Sequence, residues 1–508
     1  MRSDGGPRVS VDATVVPLPA GAAGYGTETR PTGWPQQLGT GRTLETRPPS
    51  DPLSVSNARS LGGLPLTELA SAAGVAREQL HLDASEVGTL LRALRRNADA
   101  ASARLAEATR NHLGRRDTGR SLQRPHDVAA ALHRMLTRSR FLKGSRSCFP
   151  PATAAEQIVP FVEQHRPVTL MVTGFPFKQH DNGLKAVGPH PDLAEFGALL
   201  RLRELHRAFV ELYSPGLRII VLADGGYARP RAWSEVFRYR DRLAHFAQLA
   251  GVGGAVEFAD QNRYVARLLG EQGWREREGI RRRLRERIGA VAGQPRSLAE
   301  AGVAERRIAD ALSAELLDGL PAFRDIVSSL IYSVPVPTPH DTDPLSWACR
   351  LLAYPDPLND AGVPDELVRA RRAVLGSAWR NAVDHLSASA ADNAVGVAAR
   401  YPLHVRLATV ASRHGASGFS YLGGSTLLPW HATGCLDGRG RLCADFAVSL
   451  LDRGFLAVHA PELSGSDSGS EDDGDQPMLM VPFARTVFSD GCRRVDPELL
   501  AAARLRSR

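Results

Sequence analysis

Of the 63 basic side chains in this 508-residue chain, only three are lysine: Lys143, Lys178 and Lys185. Arg is used wherever a generic positive charge is enough. A retained Lys therefore points to what Arg cannot do, since an amine can lose its proton at accessible pH and act as acid, base or imine former. Lys178 and Lys185 come shortly after an apolar, β-branched run, Val168-Thr-Leu-Met-Val-Thr173, and Asp224 directly follows a second one, Leu217-Arg-Ile-Ile-Val-Leu-Ala223. A Lys beside a carboxylate can bind a phosphate, form an imine or move protons. The competing reading is a surface Lys and an Asp that holds a turn. Further on, Arg406 stands between Val405 and Leu407 in a strand pattern. It shares a face with His404, opposite the apolar set Leu403, Val405 and Leu407. A fixed guanidinium there is either a bidentate clamp for carboxylate or phosphate, or an exposed strand residue. Trp430-His431 adds an aromatic wall and a group that titrates near neutrality.

Other patterns carry less chemistry. Gly251-Val-Gly-Gly254 follows a helical segment and lacks the third spaced Gly of a dinucleotide loop. His190-Pro-Asp192 has the His-x-Asp spacing of iron oxygenases, but it stands at a helix start, where Asp is an expected cap. Five scattered cysteines suit a reducing compartment, and the one close pair, Cys435 and Cys443, matches no zinc signature. No metal site is expected.

These residues need elements to position them. Strand 168–173, a helix opened by Pro191 and Asp192 with Leu193, Phe196, Leu200, Leu205 and Phe209 along one side, and strand 217–223 make a βαβ unit. Such a unit implies a Rossmann-like parallel sheet, with mixed members, covered by helices. In open sheets of this kind ligands bind at the carboxyl ends of the strands, where Lys178, Lys185 and Asp224 fall. Helical patterns span His126 to Phe141, Trp233 to Leu316 and Pro364 to Ala399. Strand patterns return at Leu403 to Val410, Phe419 to Leu422 and Met478 to Val487.

The domain organisation expected from this is a disordered leader over 1–60, a small helical module over 61–120, a catalytic domain over 121–462, an acidic disordered loop over 463–477, and a C-terminal strand and tail over 478–508. No apolar run approaches the roughly 20 residues that cross a bilayer, and the start lacks the apolar core of a secretory signal. The expected location is the cytoplasm, without membrane association. The net charge of +8 suggests nucleic acid only weakly, because the densest basic run, Arg275 to Arg287, interleaves Arg with Glu276, Glu278 and Glu286 as a solvated helix face does.

Gly174-Phe-Pro-Phe-Lys178, Lys185-Ala-Val-Gly-Pro-His-Pro-Asp-Leu-Ala-Glu195, Tyr213-Ser-Pro-Gly216 and Asp224-Gly225 together resemble the pyoverdine/dityrosine biosynthesis family, which includes the isonitrile synthases. Tyr401-Pro-Leu-His-Val-Arg-Leu407 and Pro429-Trp-His431 are similar to later motifs of that family, so the resemblance runs in order from about 125 to 460. The chain departs from the pattern at Gly226-Tyr-Ala-Arg229 and at Arg371-Arg-Ala-Val-Leu-Gly-Ser377. The resemblance implies condensation of the amine of an aromatic L-amino acid, Tyr or Trp, with the ketone of ribulose 5-phosphate, whose ketone carbon becomes the isonitrile carbon of a secondary metabolite. No cofactor is implied, and a separate Fe(II)/2-oxoglutarate oxygenase would act downstream. On this reading Lys178 and Asp224 handle protons or an imine and His431 shuttles protons, while Lys185, Arg406 and Trp430 bind substrate. The alternative is a catalytically silent relative serving as a binding or regulatory subunit.

Overall fold

A computed structural model of the chain describes residues 80–114, 122–178, 180, 183–223, 233–295, 298–312, 334–339, 365–409, 416–422, 427–464, 476–489 and 492–505, with single positions between 327 and 351. The leader expected over 1–60, the first part of the helical module, Asp224 and residues 465–475 of the acidic run lie outside the described residues.

The two apolar runs form β2 (Val168–Thr173) and β3 (Leu217–Ala223). Both are covered on both faces, which is why they read as continuous hydrophobic stretches rather than alternating ones. They pair in parallel with β4 (Val256–Asp260), β5 (Val405–Ala408) and β6 (Ser417–Gly418) in the order β4-β3-β2-β5-β6. The chain thus moves outward from β2 to β3 and β4, then returns to lay β5 along the other side of β2. That reversal puts the crevice of a doubly wound sheet between the carboxyl ends of β2 and β5.

One face of this sheet carries Val168, Leu170, Val172, Ile219, Val221, Val405 and Leu407 into the main core. Helices α1 (Ala84–His112), α2 (Pro125–Leu136), α3 (Pro151–Glu163), α4 (Leu193–Val210) and α5 (Trp233–Ala250) contribute to that core. Met171, Ile220 and Leu222 point the other way, toward Tyr264 and Tyr401.

A second sheet has the order β1-β9-β10-β7-β8-β13. Its strands are β1 (Leu80–His81), β7 (Thr433–Leu436), β8 (Arg441–Asp445), β9 (Phe455–His459), β10 (Pro477–Pro482) and β13 (Arg504–Leu505). A hairpin of β11 (Thr486–Ser489) and β12 (Cys492–Val495) stands apart from both sheets. Helix α4 packs against both sheets and is buried on every side over residues 193–205, so its buried charges are paired: Arg201, for one, donates to Glu204 at 3.0 Å, and Arg140 donates to the same carboxylate at 2.8 Å. A second core is built by α6 (Gln261–Val291), α7 (Leu298–Ala311) and α8 (Asp365–Ala394) around Leu284, Ile288, Ile308, Leu375 and Trp379.

Several sequence expectations need correction. The stretch read as helical from Trp233 to Leu316 contains β4, and Gly251-Val-Gly-Gly254 is the turn that enters it, with Gly251 at φ +68°. The strand expected from Leu403 begins at Val405, and Leu403 is 46% exposed, so it is not part of the apolar face. Pairing near 419 falls two residues earlier, on β6, while Phe419 bridges to Leu142. The strand expected over Met478 to Val487 is two strands, β10 and β11, separated by a short 3-10 turn at Phe483–Arg485. The hairpin of β7 and β8 left no alternating pattern strong enough to read, because Thr433–Leu436 is buried throughout.

Candidate active site

The loop leaving β2 is shaped by close packing. Gly174 lies under the ring of Trp430, where a Cβ would meet the indole at 2.5 Å. Phe175 adopts φ +53°, a left-handed conformation that costs a non-Gly residue about 1–3 kcal/mol and is held by its surroundings. Its ring packs 4.8 Å from Trp430 and 5.5 Å from Tyr421. Trp430 is 3% exposed and belongs to this aromatic cluster.

The loop delivers Lys178 into a fully buried position. Its ammonium lies 2.6 Å from Glu195 Oε2, 3.0 Å from Asp192 Oδ1 and 3.1 Å from the Pro429 carbonyl. Asp192 and Glu195 are the two halves of the capping box that opens α4. In such a box the side chains normally face water. Here both are 0% exposed, and the lysine is the cation that faces them. Asp192 Oδ1 also accepts from the backbone N–H of Ala194 at 2.7 Å and of Gly434 at 3.2 Å, while its Oδ2 is buried without a hydrogen bond among the described residues. Tyr239 of α5 donates to Glu195 Oε1 at 3.0 Å. Burial, only partly offset by Lys178, pushes the Glu195 carboxyl up to about 8. Burial beside Glu195 also raises the Tyr239 phenol well above its ordinary range.

His431 ends the 3-10 turn Pro429–His431, one residue before β7. Desolvation, together with the charges of Lys185, Lys143 and Lys178, holds its imidazole well below the ordinary histidine range, favouring the neutral form. All three lysines of the chain thus act on one histidine. Lys185 is 2% exposed, and its segment runs beside β7: Thr433 Oγ1 accepts from the N–H of Val187 at 3.3 Å. Lys143 donates from Nζ to the carbonyl of Thr409, just past the end of β5, at 3.0 Å, and from its backbone N–H to Gly418 at 2.9 Å.

The structure brings Lys178, Lys185, Trp430 and His431 together. Arg406 stands apart from them: it is exposed, level with Met171, on the sheet face that carries Tyr401. Its charge is one of those acting on Tyr401, whose phenol burial pushes up to about 12. Asp224 lies outside the described residues, one position past the end of β3. His190 and Asp192 do not form an iron pair, because Asp192 is committed to Lys178 and the helix cap. Among the described residues no group of three or more His, Cys, Asp or Glu is placed to hold a metal. No described helix is long and apolar enough to cross a membrane. A cavity of about 590 Å³ bordered by Leu217 and Gly251 to Glu257 lies at the amino ends of β3 and β4, the end opposite the switch-point crevice.

Sequence reasoning missed Glu195 and Tyr239 as site residues and set Lys143 outside the motif. The signal for Glu195 was partly present, since Asp192 and Glu195 have the three-residue spacing of a capping box at the start of a helix, but its burial left no local mark. Tyr239 and Lys143 left no local signal.

The five-stranded sheet is an open parallel one covered by helices, and the Pro429–His431 turn lies against the loop that leaves its central strand β2. Residues 158–299 match the family model described as pyoverdine/dityrosine biosynthesis protein. The segment holds Lys178, Lys185, Asp192, Glu195 and Tyr239, whereas Lys143, Arg406, Trp430 and His431 lie outside it. The chain is 35% identical over 69 residues to an L-tryptophan isonitrile synthase, AmbI1, of Fischerella ambigua, covering 14% of this chain and 21% of the relative. It is 38% identical over 65 residues to an L-tyrosine isonitrile synthase of Xenorhabdus nematophila, covering 13% and 19%. The chain thus spans about a fifth of the length of these curated relatives. The crystal structure of the PvcA protein from Pseudomonas aeruginosa aligns over 69% of this chain and 99% of its own, at 17% identity and a TM-score of 0.45.

Proposed function

We propose that this protein is an isonitrile synthase of secondary metabolism, condensing the amine of an aromatic L-amino acid, Tyr or Trp, with the ketone of ribulose 5-phosphate. Condensation of amine and ketone to an imine releases water. Carrying the ketone carbon on to an isonitrile then requires breaking both of its bonds to sugar carbons, one electron pair staying as the isonitrile lone pair and the other leaving with a sugar fragment, with proton transfers to and from the departing pieces beside a bound phosphate. The convergence of Lys185, Lys143 and Lys178 on a neutral His431, at the crevice between β2 and β5, carries this reading. It supplies positive charge for a phosphate and an imidazole able to accept a proton, in a partly enclosed place. In this scheme His431 shuttles protons and Lys185 binds the phosphate, with Arg406 and Asp224 the remaining candidates for substrate carboxylate and proton handling. The names of the two isonitrile synthase relatives support the same chemistry.

The test is to incubate the pure protein with ribulose 5-phosphate carrying ¹³C at the ketone carbon and with each aromatic amino acid in turn. An isonitrile showing its infrared stretch and one added mass unit supports the reading. A folded protein that binds these molecules without converting them indicates a silent relative acting as a binding subunit.

A further inference from the structure

We propose that Lys178 is a positioning residue, which tethers the Pro429–His431 turn to the N-terminus of α4 and so sets where His431 stands in the crevice. An ammonium has three N–H groups and no acceptor capacity. Lys178 meets three oxygens within 3.1 Å, on Glu195, Asp192 and Pro429, and is 0% exposed. No hydrogen remains for a substrate. Turning the amine toward the crevice would leave the buried Asp192–Glu195 pair without its cation, which is strongly unfavourable.

The same pair of residues grips the histidine segment at both ends. Lys178 holds the carbonyl of Pro429, and Asp192, its ion-pair partner, accepts from the N–H of Gly434 at 3.2 Å. His431 lies between these two attachments. Its neighbour Trp430 is wedged against Gly174 and Phe175, on the loop that carries Lys178. Within the turn the Pro429 carbonyl also accepts from Ala432, and His431 donates its backbone N–H to Leu428, so a shift of the Pro429 carbonyl is passed on to the imidazole. The charged groups acting on that imidazole are Lys185, Lys143 and Lys178. The proton-moving group on this account is His431, and Lys178 acts through it.

This inference rests on His431 being the proton carrier of the proposed site, and its test includes an arm that needs no turnover. In Lys178→Arg the charge is kept but the guanidinium cannot reproduce the three-oxygen contact of the amine. In Lys178→Met/Asp192→Asn/Glu195→Gln the cation and both carboxyl groups it faces lose their charge together, so a foldable variant is available if the first fails. The His431 pKa is read by NMR on ¹³C-histidine-labelled protein, assigned by the signal lost in His431→Gln. The expected result is that His431 titrates about one unit or more closer to the ordinary histidine value in Lys178→Arg. The acid limb of the kcat/KM profile should move with it, and kcat should fall on the order of a hundredfold, as for a misplaced catalytic group. An unchanged His431 pKa with kcat lost and the basic limb abolished overturns the proposal and makes Lys178 the proton carrier. If the parent makes no isonitrile, the proposed function fails while the NMR arm still decides whether Lys178 places His431.

Discussion

Gly434 on β7 stands so close to the first turn of α4 that a Cβ at this position would lie 2.4 Å from the backbone nitrogen of Ala194. The obstructing atoms are backbone, which cannot rotate away. Gly434→Ala should therefore destabilise the protein by about 1–3 kcal/mol, seen as a lower midpoint in denaturant unfolding. It should also weaken turnover, because the Asp192 contact that fixes one end of the His431 segment is made at the Gly434 N–H. A wild-type midpoint would show that β7 can slide away from the helix.

A second close approach involves a side chain instead of backbone. Gly174→Ala would drive a Cβ into the six-membered ring of Trp430, and Trp430→Phe removes that part of the indole. Gly174→Ala alone should be destabilising. The double variant should be more stable than the sum of the two singles by about 0.5–3 kcal/mol. Thermal unfolding of the four proteins measures the coupling, and strict additivity would place the strain elsewhere.

The buried Glu195 carboxyl gives a pH signature. Its folded-state value, about 8, lies above its ordinary 4.5, so the native state binds the proton more tightly than the unfolded chain does. The stability linked to this proton is fully present below pH about 4.5 and is lost as pH rises through about 8. Glu195→Gln keeps the shape without the titration. The fall in unfolding free energy between pH 6 and pH 9 should be smaller in Glu195→Gln than in the parent, and equal slopes would mean that the Lys178 charge keeps Glu195 ionised throughout.

The two proposed anion contacts differ in burial, and kinetics should separate them. Lys185→Met should raise the KM for ribulose 5-phosphate at least tenfold, since a charge-assisted contact is worth about 1.5 kcal/mol or more. Arg406 is exposed, so Arg406→Lys should leave folding stability within about 0.5 kcal/mol. If Arg406 clamps a carboxylate, the KM for the amino acid alone should rise about tenfold. Unchanged constants for both substrates would leave Arg406 an exposed strand residue.

The sequence by itself determined the local half of this protein. Val168–Thr173 and Leu217–Ala223 appear as strands within the limits read from their apolar runs, because a strand buried on both faces needs no partner to be recognised. Asp192 marks the start of α4 because a cap is a contact between residues three apart. The scarcity of lysine flagged Lys178 and Lys185 by composition alone. Tertiary structure decided everything that depends on distant segments meeting. It laid β5 beside β2, across more than two hundred residues, and so created the crevice. It added β1 to the edge of the second sheet by pairing Leu80 with Val458. It brought Lys143 to the end of β5, and it turned Lys178 from an apparently available amine into one surrounded by Glu195, Asp192 and Pro429. A Lys reads the same in sequence whether its ammonium faces water or two buried carboxylates. The difference lies in desolvation and long-range pairing, which no local pattern encodes.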